Sequence, residues 1–163
     1  MNQGNPHESF VKPVFFTYPS HIWLGLEPSD NIRWLQADKD YALFLEHLQL
    51  CGQNSLPEAV WSSMYEGGIK YCGLFRANVL VARAAIEPYH EGKWDVGDIR
   101  VVSSCRCLGY GRHILAFTTK AILNEGRIAT CYTRSDNAAM LRVLNAVGYE
   151  QLANCPHPVT PRI

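Results

Sequence analysis

The run from Asp98 to Leu115, DIRVVSSCRCLGYGRHIL, constrains this chain more than any other, because it reads as a strand passing through a short glycine loop into a helix. A helix N-terminus offers unpaired backbone N–H groups and the positive end of the dipole, and glycines let a ligand come close to the backbone. Such a junction suits a phosphate-bearing ligand. After Gly109-Tyr110-Gly111 there is no third glycine at Ile114, so the dinucleotide fingerprint fails, and no Gly-Lys-Ser/Thr is present to make a nucleotide P-loop. By itself the loop is weak, since strand-to-helix turns carry glycine for steric reasons too.

The surrounding pattern places this junction in an α/β (α+β) domain. His21 to Leu26 has the composition of a short strand, and Ser29 to Gln49 carries helical spacing at Tyr41, Phe44, Leu45 and Leu48. A second helix is expected from a capping box, Ser55-Leu56-Pro57-Glu58, to Gly67-Gly68. Lys70 to Phe75 and Val79 to Ile86 form a hairpin through Ala77-Asn78, and a third strand, Trp94 to Val102, follows a loop at Pro88 to Gly92. Then come a helix from Gly109 to Glu125 stopped by Gly126, a buried strand from Ile128 to Thr133, a helix from Asp136 to Val147 closed by Gly148, and a last strand from Tyr149 to Ala153. The order predicts a mixed central sheet flanked by helices.

At 163 residues the chain holds one sizeable core, expected over residues 21–155, with an irregular segment at 1–20 and a tail at 156–163. Fifteen basic and fifteen acidic side chains cancel, so no overall field recruits nucleic acid or an anionic membrane. The opening residues lack a basic start followed by an apolar run, and no stretch reaches the length of a membrane span, so the expected location is cytoplasmic. Six scattered cysteines read as reduced, structural thiols, and Cys105-x-Cys107 has no second pair at ligand spacing, so no metal is expected.

Two segments together carry a family resemblance. Arg106-Cys107-Leu108-Gly109-Tyr110-Gly111 resembles the R/Q-x-x-G-x-G/A signature of the GNAT superfamily of N-acetyltransferases, and Asn137 to Tyr149, NAAMLRVLNAVGY, resembles that family's later N-x-x-A-x-x-L-Y-x-x-x-G-F helix. The resemblance covers about Lys70 to Tyr149 and implies an acyl-CoA N-acyltransferase fold with acetyl-CoA as cosubstrate. It also implies that the strand before the loop splays from the next parallel strand, so that the pantetheine arm enters between them. Backbone groups of Ile99, Arg100 and Val101 would then pair with pantetheine, amides from Cys107 through Leu108, Gly109, Tyr110 and Gly111 to Arg112 would hold the pyrophosphate, and Arg106 and Asn137 would assist. Three positions depart from the pattern: Cys107 stands where glycine is common, Ser103 replaces a frequent proline, and Leu144 occupies the position of a tyrosine general acid.

The implied reaction is direct attack of a primary amine on the thioester, in a ternary complex without a covalent enzyme intermediate. The acceptor is a small-molecule amine or a peptide or protein amine, and dimerisation is a family trait for which no interface is legible. Asp98 is the candidate base beside Asp95, which strand alternation puts on the opposite face unless a bulge intervenes. Tyr132 is the candidate proton donor. The competing reading is a regulatory module that keeps the fold and binds acyl-CoA with little or no turnover, motivated by Leu144 and Cys107.

Overall fold

The computed structural model describes residues 11–153. Seven strands and four helices make one mixed sheet in the order β2-β3-β4-β5-β6-β1-β7. The strands are β1 (Pro13–Thr17), β2 (Ile32–Trp34), β3 (Lys70–Arg76), β4 (Val79–His90), β5 (Lys93–Val101), β6 (Ile128–Arg134) and β7 (Glu150–Gln151). The helices are α1 (Tyr41–Leu50), α2 (Glu58–Glu66), α3 (Tyr110–Asn124) and α4 (Ala138–Val147). All neighbouring strands are antiparallel except β5 and β6, which run parallel. The expected meander of β3, β4 and β5 is present, and its first turn has Ala77 and Asn78 at φ 47° and 65°, as a two-residue hairpin turn requires.

Each face of the sheet buries its own core. On one face Ile114, Leu115 and Ile122 of α3 and Leu144 and Val147 of α4 pack on Ala82, Ala84, Val96 and Ala129. On the other, Phe44 and Leu48 of α1 and Trp61 of α2 pack on Tyr71, Leu80 and Ala85. Burying large aromatic and branched side chains on both faces fixes the register of the central strands, because a one-residue slip would exchange the two cores.

Several boundaries depart from expectation. His21 to Leu26 is not a strand: Trp23 stacks on Tyr18 at 5.4 Å while Ile22, Leu24 and Leu26 stay exposed. The strand in this region is β1, inside the stretch expected to be irregular, and it takes the sheet edge beside β6. The front of the expected first helix is instead β2, with α1 beginning at Tyr41. The capping box does not form, since Pro57 is the N-cap in extended geometry (φ −60°, ψ 142°) and no side chain caps α2. A residue before proline is pushed out of the helical region, so Leu56 cannot be helical and Glu58 becomes the first helical residue. Finally, β4 continues through the expected loop to His90. The expected tail at 156–163 and Cys155 lie outside the described residues.

Candidate active site

The site begins where the two parallel strands separate. β5 and β6 pair only at Lys93–Ile128, Trp94–Ala129 and Asp95–Thr130. Beyond that point β5 runs on to Val101 and β6 to Arg134 without pairing to each other, so two strand edges border an opening within the sheet. Unpaired backbone amides and carbonyls along such edges can bond a ligand with amide groups of its own. On their far edges the strands are held by β4 and β1, respectively.

The glycine loop lies at the open end, joining β5 to α3. Gly109 is the N-cap of α3 with φ 82°, a left-handed conformation natural to glycine. Among the described residues no hydrogen bond engages the backbone N–H groups of Cys107, Leu108, Gly109, Tyr110 and Gly111, whereas Arg112 N–H is turned into the helix onto the Gly109 carbonyl at 3.0 Å. Five consecutive donors beside the positive helix end, with exposed Arg106 and Arg112, fit a pyrophosphate. Arg106 Nε also donates to the Val101 carbonyl at 3.4 Å, bracing the loop against β5. A methyl added at Gly111 would meet Val143 and Val101 at 3.7 and 3.8 Å, room for alanine at the position where the signature reads G/A. Cys107 has φ 63°, which explains why glycine is common there. In the first turn of α3, His113 has a buried Nδ1 with no partner among the described residues.

A bulge in β5 decides where the carboxylates point. Asp98 has φ 46°, and the β4–β5 register shifts between the pairs at Arg83 and Ala85. Val96, Ile99 and Val101 all face the core under α3, so Asp95 and Asp98 both face the other side of the sheet. Asp95 is buried and accepts from Thr130 Oγ1 at 3.1 Å, at the vertex of the split. Asp98 is 22% exposed and forms part of the wall of a cavity of about 550 Å³. The other walls come from α1 (Phe44, Leu48), the α1–α2 loop (Gly52 to Leu56), Met64 of α2, and Tyr71 and Arg83 of the sheet.

The floor of this cavity is a polar network that sequence reading did not anticipate. Arg83, 1% exposed, donates through Nε to Asp98 Oδ2 at 3.0 Å, through Nη2 to Asp98 Oδ1 at 3.3 Å and to Gln53 Oε1 at 2.6 Å, and through Nη1 to His47 Nδ1 at 2.6 Å. Tyr71 Oη donates to Asp98 Oδ2 at 3.2 Å. A guanidinium can only donate, so His47 Nδ1 is the unprotonated nitrogen. Burial first, and the neighbouring Arg83 second, push the His47 pKa down to about 4. Burial above all also lifts the Tyr71 hydroxyl far above the usual tyrosine range. The available signal was a single arginine in the apolar run Val-Ala-Arg-Ala-Ala-Ile of β4, since a charge there demands buried partners.

The remaining candidates divide. Tyr132 lies on β6 beyond its last pair with β5, is 38% exposed, and has its ring 5.9 Å from that of Phe15. Asn137 caps α4 by accepting from Met140 N–H at 3.2 Å and donates to Thr133 Oγ1 at 3.1 Å. Leu144 is fully buried in the core between α4 and the sheet. Tyr149, just past the end of α4, is buried in the core and shares a hydrogen bond with Thr119 Oγ1 at 2.8 Å.

A parallel strand pair splits open beside a helix N-terminus, with a cavity on the opposite face, as the resemblance of the glycine loop to the GNAT signature implies for the strands. The family model described as "Acetyltransferase (GNAT) family" matches residues 29–149, and the chain belongs to that family, whose members use acetyl-CoA. Solved structures agree on the fold. A GNAT-family acetyltransferase from Colwellia psychrerythraea superposes with a TM-score of 0.69 at 18% identity over 86% of this chain and 53% of that one. A GNAT-family protein from Novosphingobium aromaticivorans gives 0.67 at 12% identity over 85% and 58%. The chain therefore spans little more than half the length of either. AAC(6')-Iy, in complex with the bisubstrate analogue CoA-S-monomethyl-acetylneamine, gives 0.63 at 16% identity over 81% and 97%. No curated protein sequence matches the chain. Among the described residues no helix is long and apolar enough to cross a membrane, and no group of three or more His, Cys, Asp or Glu could hold a metal ion.

Proposed function

We propose that the protein is an N-acetyltransferase that moves an acetyl group from acetyl-CoA to a primary amine by direct attack in a ternary complex. The observation that carries this reading is the parting of β5 from β6 after Asp95 and Thr130, at whose open end five unpaired amides surround the start of α3. In this reading the amides of Cys107 to Gly111, with Arg106, hold the pyrophosphate. The edge of β5 at Ile99, Arg100 and Val101 holds the pantetheine amides, and Asn137 stands at the start of α4 on the other side. Acetyl-CoA supplies the acetyl group as a thioester. The transfer forms an N–C bond and breaks the C–S bond; the amine gives up a proton and the leaving sulfur takes one.

The chain's own groups supply binding and proton traffic. Asp98, facing the cavity, receives the amine and its proton. Tyr132 lies past the vertex on β6, and in this reading it is the group that gives a proton to the leaving sulfur, Leu144 being buried and without one. A thiol of ordinary pKa, about 8.5, leaves tolerably unaided, so the lack of a tyrosine at 144 costs at most the 10²–10⁴-fold, roughly, that general acid help provides.

Calorimetric titration with acetyl-CoA is the direct test, repeated for Gly109→Trp and Arg106→Ala. A tryptophan at φ 82° strains the N-cap and fills the loop, so binding should be lost while far-UV circular dichroism persists. Unchanged binding in Gly109→Trp, or none in the unmodified protein, rules the reading out.

A further inference from the structure

We infer that the acceptor is a primary monoamine with a compact apolar body, its amine against Asp98 and its body against Phe44, Leu48, Leu56 and Met64. This rests on the acetyl-transfer reading above and adds the class of amine. The cavity of about 550 Å³ is of the size that small-molecule sites have. Asp98 is the only carboxylate among the described residues that line it, and Arg83, buried behind it, already balances that charge. A polycationic acceptor would bring further ammonium groups into a cavity with no carboxylate left to meet them, which costs desolvation without return. Phe44 and Leu48 of α1, Leu56 of the following loop and Met64 of α2 give the wall an apolar portion, beside the polar Gln53, Asn54 and Ser55 of the loop, and this portion suits an alkyl or aryl body.

The amine has a defined place to bind. A carboxylate offers about four lone-pair positions. Tyr71 Oη and Arg83 Nε take two on Oδ2, and Arg83 Nη2 takes one on Oδ1. Arg100 Nε lies 3.7 Å from Oδ1, an ion pair beyond hydrogen-bond reach on a side chain that is 53% exposed. An incoming amine therefore completes Asp98 and competes with Arg100 for the same oxygen. It lies beside the β5 bulge, next to the backbone of Ile99 to Val101 along the split.

The test has two arms. In the first, the full chain with ¹³C-labelled methionine methyls is titrated with 2-phenylethylamine, isoamylamine and spermidine in the absence of acetyl-CoA. The two monoamines should shift the Met64 methyl signal, assigned with a Met64→Leu variant, and spermidine should leave it in place. In the second, acetylation is followed with saturating acetyl-CoA. Either monoamine should exceed spermidine at least tenfold in kcat/KM, Arg100→Gln should lower the monoamine KM several-fold, and Asp98→Asn should raise it about tenfold. Because Asp98→Asn disturbs a buried network, Asn54→Asp provides a second check on the exposed loop: a second carboxylate in the wall should improve use of the diamine cadaverine several-fold. A preference for spermidine, a Met64 methyl indifferent to monoamines, or a cadaverine rate unmoved by Asn54→Asp overturns the inference. Met64 shifts with monoamines in a protein that does not bind acetyl-CoA would instead sink the transferase reading and leave the amine site standing.

Discussion

At the scale of single residues, the backbone at Cys107 and the side-chain network around Arg83 shape the candidate site. Cys107 holds a left-handed φ of 63° in the glycine loop. A non-glycine residue pays about 1 kcal/mol there, roughly what glycine costs in chain entropy, so Cys107→Gly should change the melting free energy by under about 0.5 kcal/mol and keep acetyl-CoA affinity. Cys107→Val, β-branched at the same φ, should cost about 1–2 kcal/mol in urea melts and weaken acetyl-CoA binding in the same series. Arg83 is the side chain on which the cavity floor depends, since Asp98, Gln53 and His47 all accept from it. Arg83→Met should destabilise by about 3–5 kcal/mol by leaving Asp98 partly uncompensated, and it should raise the pKa of His47 in an NMR titration because a neighbouring cation is gone. An unmoved His47 titration would mean that burial alone sets it. His47 also gives a pH signature. Its folded pKa, pushed down to about 4, lies below its ordinary 6.5, so the unfolded chain binds the proton first as pH falls. Stability is then full above about pH 6.5 and is lost between there and about pH 4, by roughly 3 kcal/mol at most. His47→Gln, which keeps an acceptor for Arg83, should flatten that window in denaturant melts taken at each pH.

At the scale of elements, the decisive fact is that the cleft side of β6 depends on β1. Past Thr130 the β5 partner is gone, and the strand pairing of Cys131 to Arg134 is with Phe16, Phe15, Val14 and Pro13 of β1. Among the described residues β7 in turn pairs only with β1. A five-residue segment near the start of the chain therefore supports one wall of the opening and the last described strand. Removing residues 1–17 should lower amide hydrogen-exchange protection across Cys131 to Arg134 while leaving the β3–β4 hairpin protected, and acetyl-CoA affinity should fall with it. Equal loss of protection in both regions would show that β1 stabilises the whole sheet rather than this wall. The strand was not legible because Pro-Val-Phe-Phe-Thr is short, begins with proline and lacks a neighbour in sequence. Its partner lies more than a hundred residues away, and no local pattern encodes such a pairing. The hairpin at Ala77-Asn78 was legible for the opposite reason, both strands and the turn being contiguous.

At the scale of the whole molecule, the sheet is a partition between two cores, and the proposed reaction takes place where the partition splits. The loop that starts α3 serves one face, and the cavity at Asp98, framed by α1 and α2, opens on the other. A cosubstrate entering through the split would present its thioester to the face that holds the acceptor cavity, so each substrate has its own approach. The amino-acid sequence by itself determined the glycine loop, the α4 motif with its Asn137 and Gly148 ends, and the hairpin, because each is written in consecutive residues with local backbone preferences. It also carried the family. Only the tertiary structure decided that a bulge at Asp98 turns both carboxylates to one face, that Arg83 is buried among Asp98, His47 and Gln53, and that β1 rather than residues 21–26 joins the sheet. Each of these depends on which distant segments meet, and a bulge, a buried charge or an edge pairing gains its free energy from that meeting rather than from the residues on either side of it in the chain.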